Sequence, residues 1–342
     1  MQKQKQNRKV AFIYTHKCHS VSLVFADSIK AKKYKLNKLS FPIISNIIQA
    51  FYLSLKIPSY DIYFIESASS LFVPIFKRWF GQKNIIIFRA NDGLFGEKSK
   101  AYLYSKNPLK RVVLKFLIKH IDGASTESNM SKKDVLNWIN IPIEVNESYF
   151  ENRDMLLKNK PNFKARKFLF IGEKRPFDHK GVDILIDAFK LLEKEDIELY
   201  LIGKNTDKLE ASKNVKCIGF AKNISSYLSE SCFFIEPARY ETGPITIFES
   251  MMAGLIPIFS NNCGHIDCVR QLDNNLVLTS IKPNDIAKKI RQFIKLDEKK
   301  LKSSSIKARK LIKDKYLKKD QVTKFKRSFW KLIKRIEERN NA

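Results

Sequence analysis

Residues 237–260, PARYETGPITIFESMMAGLIPIFS, place two glutamates eight positions apart around an expected helix start. A strand ending near Glu236 leads into a loop holding Glu241. The helix begins between Thr242 and Ile245 and carries Glu249 one or two turns inside. Unpaired backbone N–H groups at a helix start can hold a phosphate. Glu249 lies close enough to accept hydrogen bonds from a ribose diol, as acidic side chains do in other nucleotide folds. Gly254 ends the helix and Pro257 follows it, the order that a helix C-terminus favours. Either glutamate alone fits a solvated or capping side chain. Their spacing about a helix start, between apolar strands, points the pair toward a ligand.

Residues 170–192, FIGEKRPFDHKGVDILIDAFKLL, form the second such stretch. Strand, loop and helix follow in order, and the loop carries Arg175 and Lys180 toward the C-terminal edge of the sheet, where open α/β sheets bind ligands. A diphosphate needs compensating positive charge, and guanidinium and ammonium groups supply it in different geometries. Gly181 allows close approach before the helix. The stretch is neither GxGxxG nor GxxxxGK[ST], so a Rossmann dehydrogenase and a P-loop ATPase both lack their fingerprints. A basic residue in a loop is common, and Arg175 by itself carries little weight.

The elements that must position these side chains are short apolar strands alternating with helical stretches. In the first half, Val10–Thr15, Asp61–Glu66, Asn84–Phe88 and Gly123–Thr126 read as strands. Val21–Ala31 and Pro108–His120 read as helices, and Phe41–Ile57 as a helix with one greasy face. In the second half, strands are expected at Lys167–Gly172, Glu198–Gly203, Val215–Gly219, Cys232–Glu236 and Ile256–Ser260. Helices are expected there at Val182–Leu192, Ile224–Ser229, Thr246–Ala253 and Asp285–Phe293. Parallel α/β sheets produce this alternation. A polar stretch without periodicity between Ile143 and Lys167 marks the domain boundary. From Leu301 onward the chain is basic and helical, with Phe325, Phe329, Leu332, Ile333 and Ile336 on one face. Packing onto the body of the protein is the first expectation for that face, direct membrane contact the second.

The chain's 342 residues, 44% of them hydrophobic, allow a large core and suggest two domains. That content excludes a disordered basic tail protein, and 11 Gly with 11 Pro exclude collagen-like and low-complexity classes. The formal charge of +29 is uneven: residues 1–160 carry +15, residues 161–300 only +3, and residues 301–342 carry +11. Nucleic acid, an anionic membrane surface, and ordinary lysine-rich decoration each account for such a distribution. The apolar run Val10–Tyr14 is too short for a signal sequence or a spanning helix. The 5 cysteines, odd in number and irregular in spacing, indicate no disulfide framework. Cys263, His265 and Cys268 lack the further ligand pair that a structural zinc site wants. The cytoplasm, or the cytoplasmic face of a membrane, is the expected location.

Together the two stretches resemble the C-terminal domain of the family-4 glycosyltransferases ("glycosyl transferases group 1"), retaining enzymes with the two-domain GT-B fold. The family's basic loop is matched by Arg175 and Lys180-Gly181, followed by the helix VDILIDAF. LYLIGKN matches the next strand and its turn at Gly203, and the family's E-x7-E motif is matched by Glu241 and Glu249. The resemblance covers about residues 167–262. In the first half only the strand order, YDIYFIES and IDGASTESNMSKKDV are similar.

The resemblance implies an α/β fold of two Rossmann-like domains with parallel sheets facing across a cleft. It places an acceptor-binding domain at 1–155, a nucleotide-sugar-binding domain at 156–320, and a basic C-terminal helix at 321–342 that packs back on the first domain. Arg175 and Lys180 would bind the donor diphosphate and stabilise the leaving group. Glu249 would hold the ribose, and Glu241 would contact the transferred sugar. Gly203, Ile245 and Thr246 would complete the donor site, with no cofactor and no dedicated metal. Departures include two extra residues, Glu173 and Lys174, ETGP in place of the usual EGFG, and THKCHS in place of a glycine-rich first loop. The family's acceptor-side histidine is not matched in IIIFRANDGLFG, which leaves His16, Arg89 and Asp92 as candidates.

The expected activity is a retaining hexosyltransferase-like transfer from a nucleoside-diphosphate sugar to a polysaccharide, oligosaccharide or lipid-linked acceptor in cell-envelope glycan synthesis, with peripheral contact to anionic membrane. A nucleic-acid-binding protein is the competing reading from another class, although no RRM aromatic pair, zinc finger or recognition helix supports it. A GT-B nucleotide-sugar epimerase or a non-catalytic scaffold is the other alternative.

Overall fold

The computed structural model describes residues 8–15, 18–37, 44–91, 94–96, 103, 107–151, 153–173 and 179–342. The chain divides into two compact units, one of residues 1–148 with 319–342 and the other of residues 149–318. Each is built on a six-stranded sheet.

The first unit contains strands β1 (Val10–Thr15), β2 (Lys32–Leu36), β3 (Ile62–Ile65), β4 (Ile85–Ala90), β5 (Gly123–Thr126) and β6 (Ile143–Val145), in spatial order β2-β1-β3-β4-β5-β6. All neighbours are parallel. Its helices are α1 (Ser20–Ser28), α2 (Ile44–Lys56), α3 (Phe72–Trp79), α4 (Pro108–Ile118) and α5 (Asn129–Leu136). Central strands such as IYFI are buried on both faces and read as continuous apolar runs. The edge strand β2, KKYKL, exposes three of its residues. Lysines on an edge discourage pairing with another chain, and they also hide the strand from a search for apolar runs.

The second unit contains β7 (Lys167–Ile171), β8 (Glu198–Ile202), β9 (Val215–Gly219), β10 (Phe233–Glu236), β11 (Ile256–Ser260) and β12 (Val277–Leu278), ordered β12-β11-β10-β7-β8-β9 and again parallel. Helices α6 (Asp154–Lys158), α7 (Val182–Lys190), α8 (Ser225–Glu230), α9 (Thr246–Met252), α10 (Ile266–Leu272), α11 (Pro283–Ile294) and α12 (Glu298–Lys315) complete it. One continuous core runs from Phe168 and Phe170 through Phe189, Phe233 and Phe259 to Ile312.

The last helix, α13 (Lys318–Asn341), buries Phe325, Phe329, Leu332, Ile333 and Ile336. Phe325 stacks on Phe25 of α1 at 4.2 Å between ring centroids, and Phe329 meets Phe64 of β3 edge-on at 5.7 Å. Its apolar stripe is therefore a layer of the first unit's core. Among the described residues no helix is long and apolar enough to cross a membrane.

Candidate active site

In the second sheet the strand order reverses between β7 and β10. Loops leaving neighbouring strands at such a reversal diverge to opposite faces and open a crevice at the strands' C-terminal ends. The loop after β7 delivers Lys180 to this place, and β10 ends there in Glu236. Lys180 Nζ donates to Glu236 Oε1 at 2.6 Å and lies 3.1 Å from Glu241 Oε2. Glu236 is 0% exposed, and its other oxygen accepts from the Thr246 hydroxyl at 3.1 Å. One ammonium thus bridges two carboxylates at the sheet edge. Burial opposes the charge on Lys180, but Glu236 and Glu241 outweigh it and hold its pKa above the ordinary lysine value. Burial also pushes Glu236 upward against the pull of Lys180 and Thr246.

Backbone geometry fixes these groups. Gly181, the residue before α7, has φ +73°, and a Cβ there would meet the Pro237 carbonyl oxygen at 2.3 Å. The two loops touch through this bare glycine. Gly203 follows β8 with φ +151°, where a Cβ would fall 2.0 Å from the Gly172 carbonyl oxygen. Its position secures close passage of backbones beneath the loop that carries Lys180. Arg239 grips Asp183 of α7 with two bonds of 2.7 Å, a bidentate fork that ties the loop after β10 to the helix after β7. The His179 carbonyl accepts from Arg239 N at 2.7 Å, a further tie. Glu241 N donates to Asn262 O at 3.1 Å and Gly264 N to Glu241 O at 2.8 Å, so the Glu241 backbone is bridged to the segment after β11.

Glu249 sits in the first turn of α9, three residues beyond Thr246 on the same helix. Its Oε1 lies 3.0 Å from Arg153 Nη1, and burial raises its pKa while Arg153 pulls the other way. Ile245 is the residue before the helix and is partly exposed. The structure therefore brings Lys180, Glu241, Ile245, Thr246, Glu249 and Gly203 to the C-terminal ends of the second unit's strands. Glu236 is the group that the sequence did not single out. A glutamate closing an apolar strand, CFFIE, looks like the end of the strand. Its one signal was that it falls where β10 must open toward the crevice.

Arg175, His16 and Asp92 lie outside the described residues. Arg89, the remaining acceptor-side candidate, is 1% exposed at the end of β4. Its Nη1 donates to Ser125 Oγ at 3.1 Å, Asn146 O at 3.0 Å and Thr126 O at 3.3 Å, and its guanidinium lies over the Phe25 ring. Burial lowers its pKa, opposed by Glu127 and Glu66. The first sheet's own reversal lies between β1 and β3, and Glu66 follows β3 there. Glu66 accepts from the Cys18 thiol at 2.7 Å, His19 N at 3.0 Å and Asn91 Nδ2 at 2.9 Å, a cluster that no motif announced. Cys263, His265 and Cys268 are all buried, and His265 stacks on Phe248 at 4.7 Å. No group of three or more His, Cys, Asp or Glu among the described residues is placed to hold a metal ion.

Residues 155–311 match the family model "Glycosyl transferases group 1". A glycogen synthase of Thermosipho melanesiensis is 25% identical over 167 residues, and the match spans 45% of this chain but only 35% of that protein. Sucrose-phosphate synthase from Thermosynechococcus elongatus has a similar structure, with a TM-score of 0.72 at 12% identity over 95% of this chain and 99% of that one. HepE of Anabaena, in crystals with UDP and glucose, gives 0.67 at 14% identity over 96% and 100%. At such identities the structural likeness speaks to the fold. Residues 155–311, with the cluster of Lys180, Glu236, Glu241, Thr246 and Glu249, thus form a glycosyl transferases group 1 domain, on a chain with the fold of the GT-B glycosyltransferases.

Proposed function

We propose that the protein is a retaining glycosyltransferase of the family-4 type. It moves a sugar from a nucleoside-diphosphate donor to a polysaccharide, oligosaccharide or lipid-linked acceptor in cell-surface glycan synthesis. The observation that carries this is Lys180, held charged by buried Glu236 and set beside Glu241 at the sheet's reversal point. In the reaction, the bond between the anomeric carbon and the distal phosphate oxygen breaks, and its electron pair leaves with the nucleoside diphosphate. Lys180, joined by Arg175, meets that growing negative charge. A preorganised donor of this kind is worth about 10²–10³ in rate. Glu249 accepts from the ribose hydroxyls, and Glu241 contacts the departing sugar near its reacting carbon. The acceptor hydroxyl bonds to the same face of the sugar and passes its proton to the departing diphosphate oxygen, which carries the electron pair of the broken bond. Nucleotide sugars seen with HepE support the donor class. The first unit supplies the acceptor side, with His16 and Asp92 as its candidate residues; Arg89, expected there from the sequence, is instead buried and spent on bracing Ser125, Thr126 and Asn146 at the ends of β5 and β6.

Transfer is measured with a panel of nucleotide sugars, and the products are identified by NMR. Product with the donor's anomeric configuration is expected, as is loss of transfer by about 10²-fold or more in Glu241→Ala and Lys180→Ala. Lys180→Ala also strands Glu236 in the core, at a cost of roughly 3–5 kcal/mol, so its melting curve is recorded alongside. Unimpaired transfer in both variants, an inverted product, or an epimerised donor without transfer defeats the proposal.

A further inference from the structure

Helices α2, α3 and α4 of the first unit each have a core-facing stripe and also expose large apolar side chains. On α2 these are Ile48, Tyr52 and Leu55, at helical spacing and all more than half exposed. Trp79 and Phe80 at the end of α3 are 63% and 54% exposed. On α4, Val112 is 65% exposed and Phe116 40%. Ring contacts join the three helices into one surface. Phe51 of α2 lies 6.0 Å from Phe80, and Trp79 lies 6.4 Å from Phe116. Monomeric soluble proteins seldom leave such a contiguous patch bare without a binding role.

The charges on these helices are one-sided. They carry Lys56, Lys77, Lys110, Arg111 and Lys115, and no carboxylate, while Arg78 at the end of α3 is paired with Asp122 and adds no net charge. Lys56 Nζ lies 4.3 Å from the Tyr52 ring centroid, where its stem covers apolar surface while its head stays in water. Arg111 and Lys115 are exposed, flanking Val112 and Phe116.

We infer that this three-helix face docks on an anionic lipid bilayer. Trp, Tyr and Phe seated among lysines make up the composition of membrane interfaces, where rings enter the headgroup layer and cations meet lipid phosphates. Protein–protein interfaces are instead depleted in lysine. A second copy on the same face would set this net-positive surface against itself. The α13 stripe is already buried in the first unit, so the lipid contact falls to α2, α3 and α4. The inference does not depend on the transfer reaction proposed above.

Flotation of the full chain at low salt is compared on vesicles of equal parts phosphatidylcholine and phosphatidylglycerol and on phosphatidylcholine alone. Binding to the mixed vesicles is expected, about tenfold weaker on neutral ones. The surface variants Arg111→Glu/Lys115→Glu and Val112→Ser/Phe116→Ser should each lower it by about tenfold. Brominated lipid should quench wild-type tryptophan fluorescence, and the conservative Trp79→Phe should lower that quenching, leaving only the share of the remaining tryptophans, such as Trp138 beside Lys115. No flotation at low salt overturns the inference, as does unchanged flotation of both double variants with unaltered melting curves. Quenching undiminished in Trp79→Phe, or variants that split a dimer without affecting flotation, also overturns it.

Discussion

In the proposed transfer, a lysine ammonium would serve a departing diphosphate only while protonated and aimed, and the Glu236 carboxylate favours both for Lys180. That carboxylate lies beneath the crevice and out of water, so it positions Lys180 rather than facing solvent. Lys180, Glu241 and Glu249 were legible in the sequence because their spacing is local to two strand–loop–helix stretches. Glu236 was not, because its role depends on a lysine 56 positions away across the sheet reversal. Glu249 carries a pH signature. Its pKa in the folded chain is raised above the ordinary value of 4.5, chiefly by burial. The folded state then holds the proton more tightly than the unfolded one, so this group's contribution is most favourable at acid pH. It is lost as pH rises from the unfolded value through the folded one. Glu249→Gln removes that loss and gives up only an exposed partner, Arg153, whose ion pair contributes little. The variant should melt above wild type at pH 7, with the gap closing toward pH 4, while binding donor about tenfold more weakly. Calorimetric scans across that range test it, and a gap that widens on acidification contradicts it.

Helix α7 and the loop before it act as one part with the loop after β10. Gly181 is their hinge point, since only a residue without Cβ fits against Pro237 at that φ. Gly181→Ala should cost about 1–3 kcal/mol from backbone strain alone, with more from the contact. It should also displace Lys180, lowering transfer more than a surface Gly→Ala exchange; urea unfolding and rate measurements on one preparation would show both. Strands Val10–Thr15, Gly123–Thr126, Val215–Gly219 and Ile256–Ser260 fall at the expected residues. The first and last are short apolar runs closed by a polar residue, whereas GAST is a run of small residues that is nonetheless fully buried. Strands β2 and β6 escaped notice for physical reasons: β2 is a lysine-rich edge, and the three-residue β6 leaves no alternation to read. Helices α6 and α10 are too short, at 5 and 7 residues, to show a helical period.

Over the whole molecule, the charge divides by unit. The domain that would hold a nucleotide sugar is close to balance at +3 over residues 161–300, so a few placed groups carry its anion chemistry. The excess lies in the first 160 residues and in the final helices, and α2, α3 and α4 give part of it a defined face. Helix α13 is basic outside and aromatic inside, and its inner residues belong to a core formed by residues some 300 positions earlier. Phe329→Ala should lower unfolding free energy by about 3–5 kcal/mol, the usual cost of removing a buried phenylalanine, as read from urea denaturation. A loss under 1 kcal/mol would mean that the helix is only loosely attached.

Because the first unit is closed by the last helix, it cannot be completed in the order in which the ribosome delivers it. Its sheet emerges early, yet Phe25 and Phe64 wait for their cover until residues 149–318 have been made. At ordinary rates of synthesis that wait is roughly 10–30 s. Nascent chains therefore carry an open aromatic sheet face for most of their translation, and any chain cut short within the second unit keeps that face for a chaperone or a protease to find.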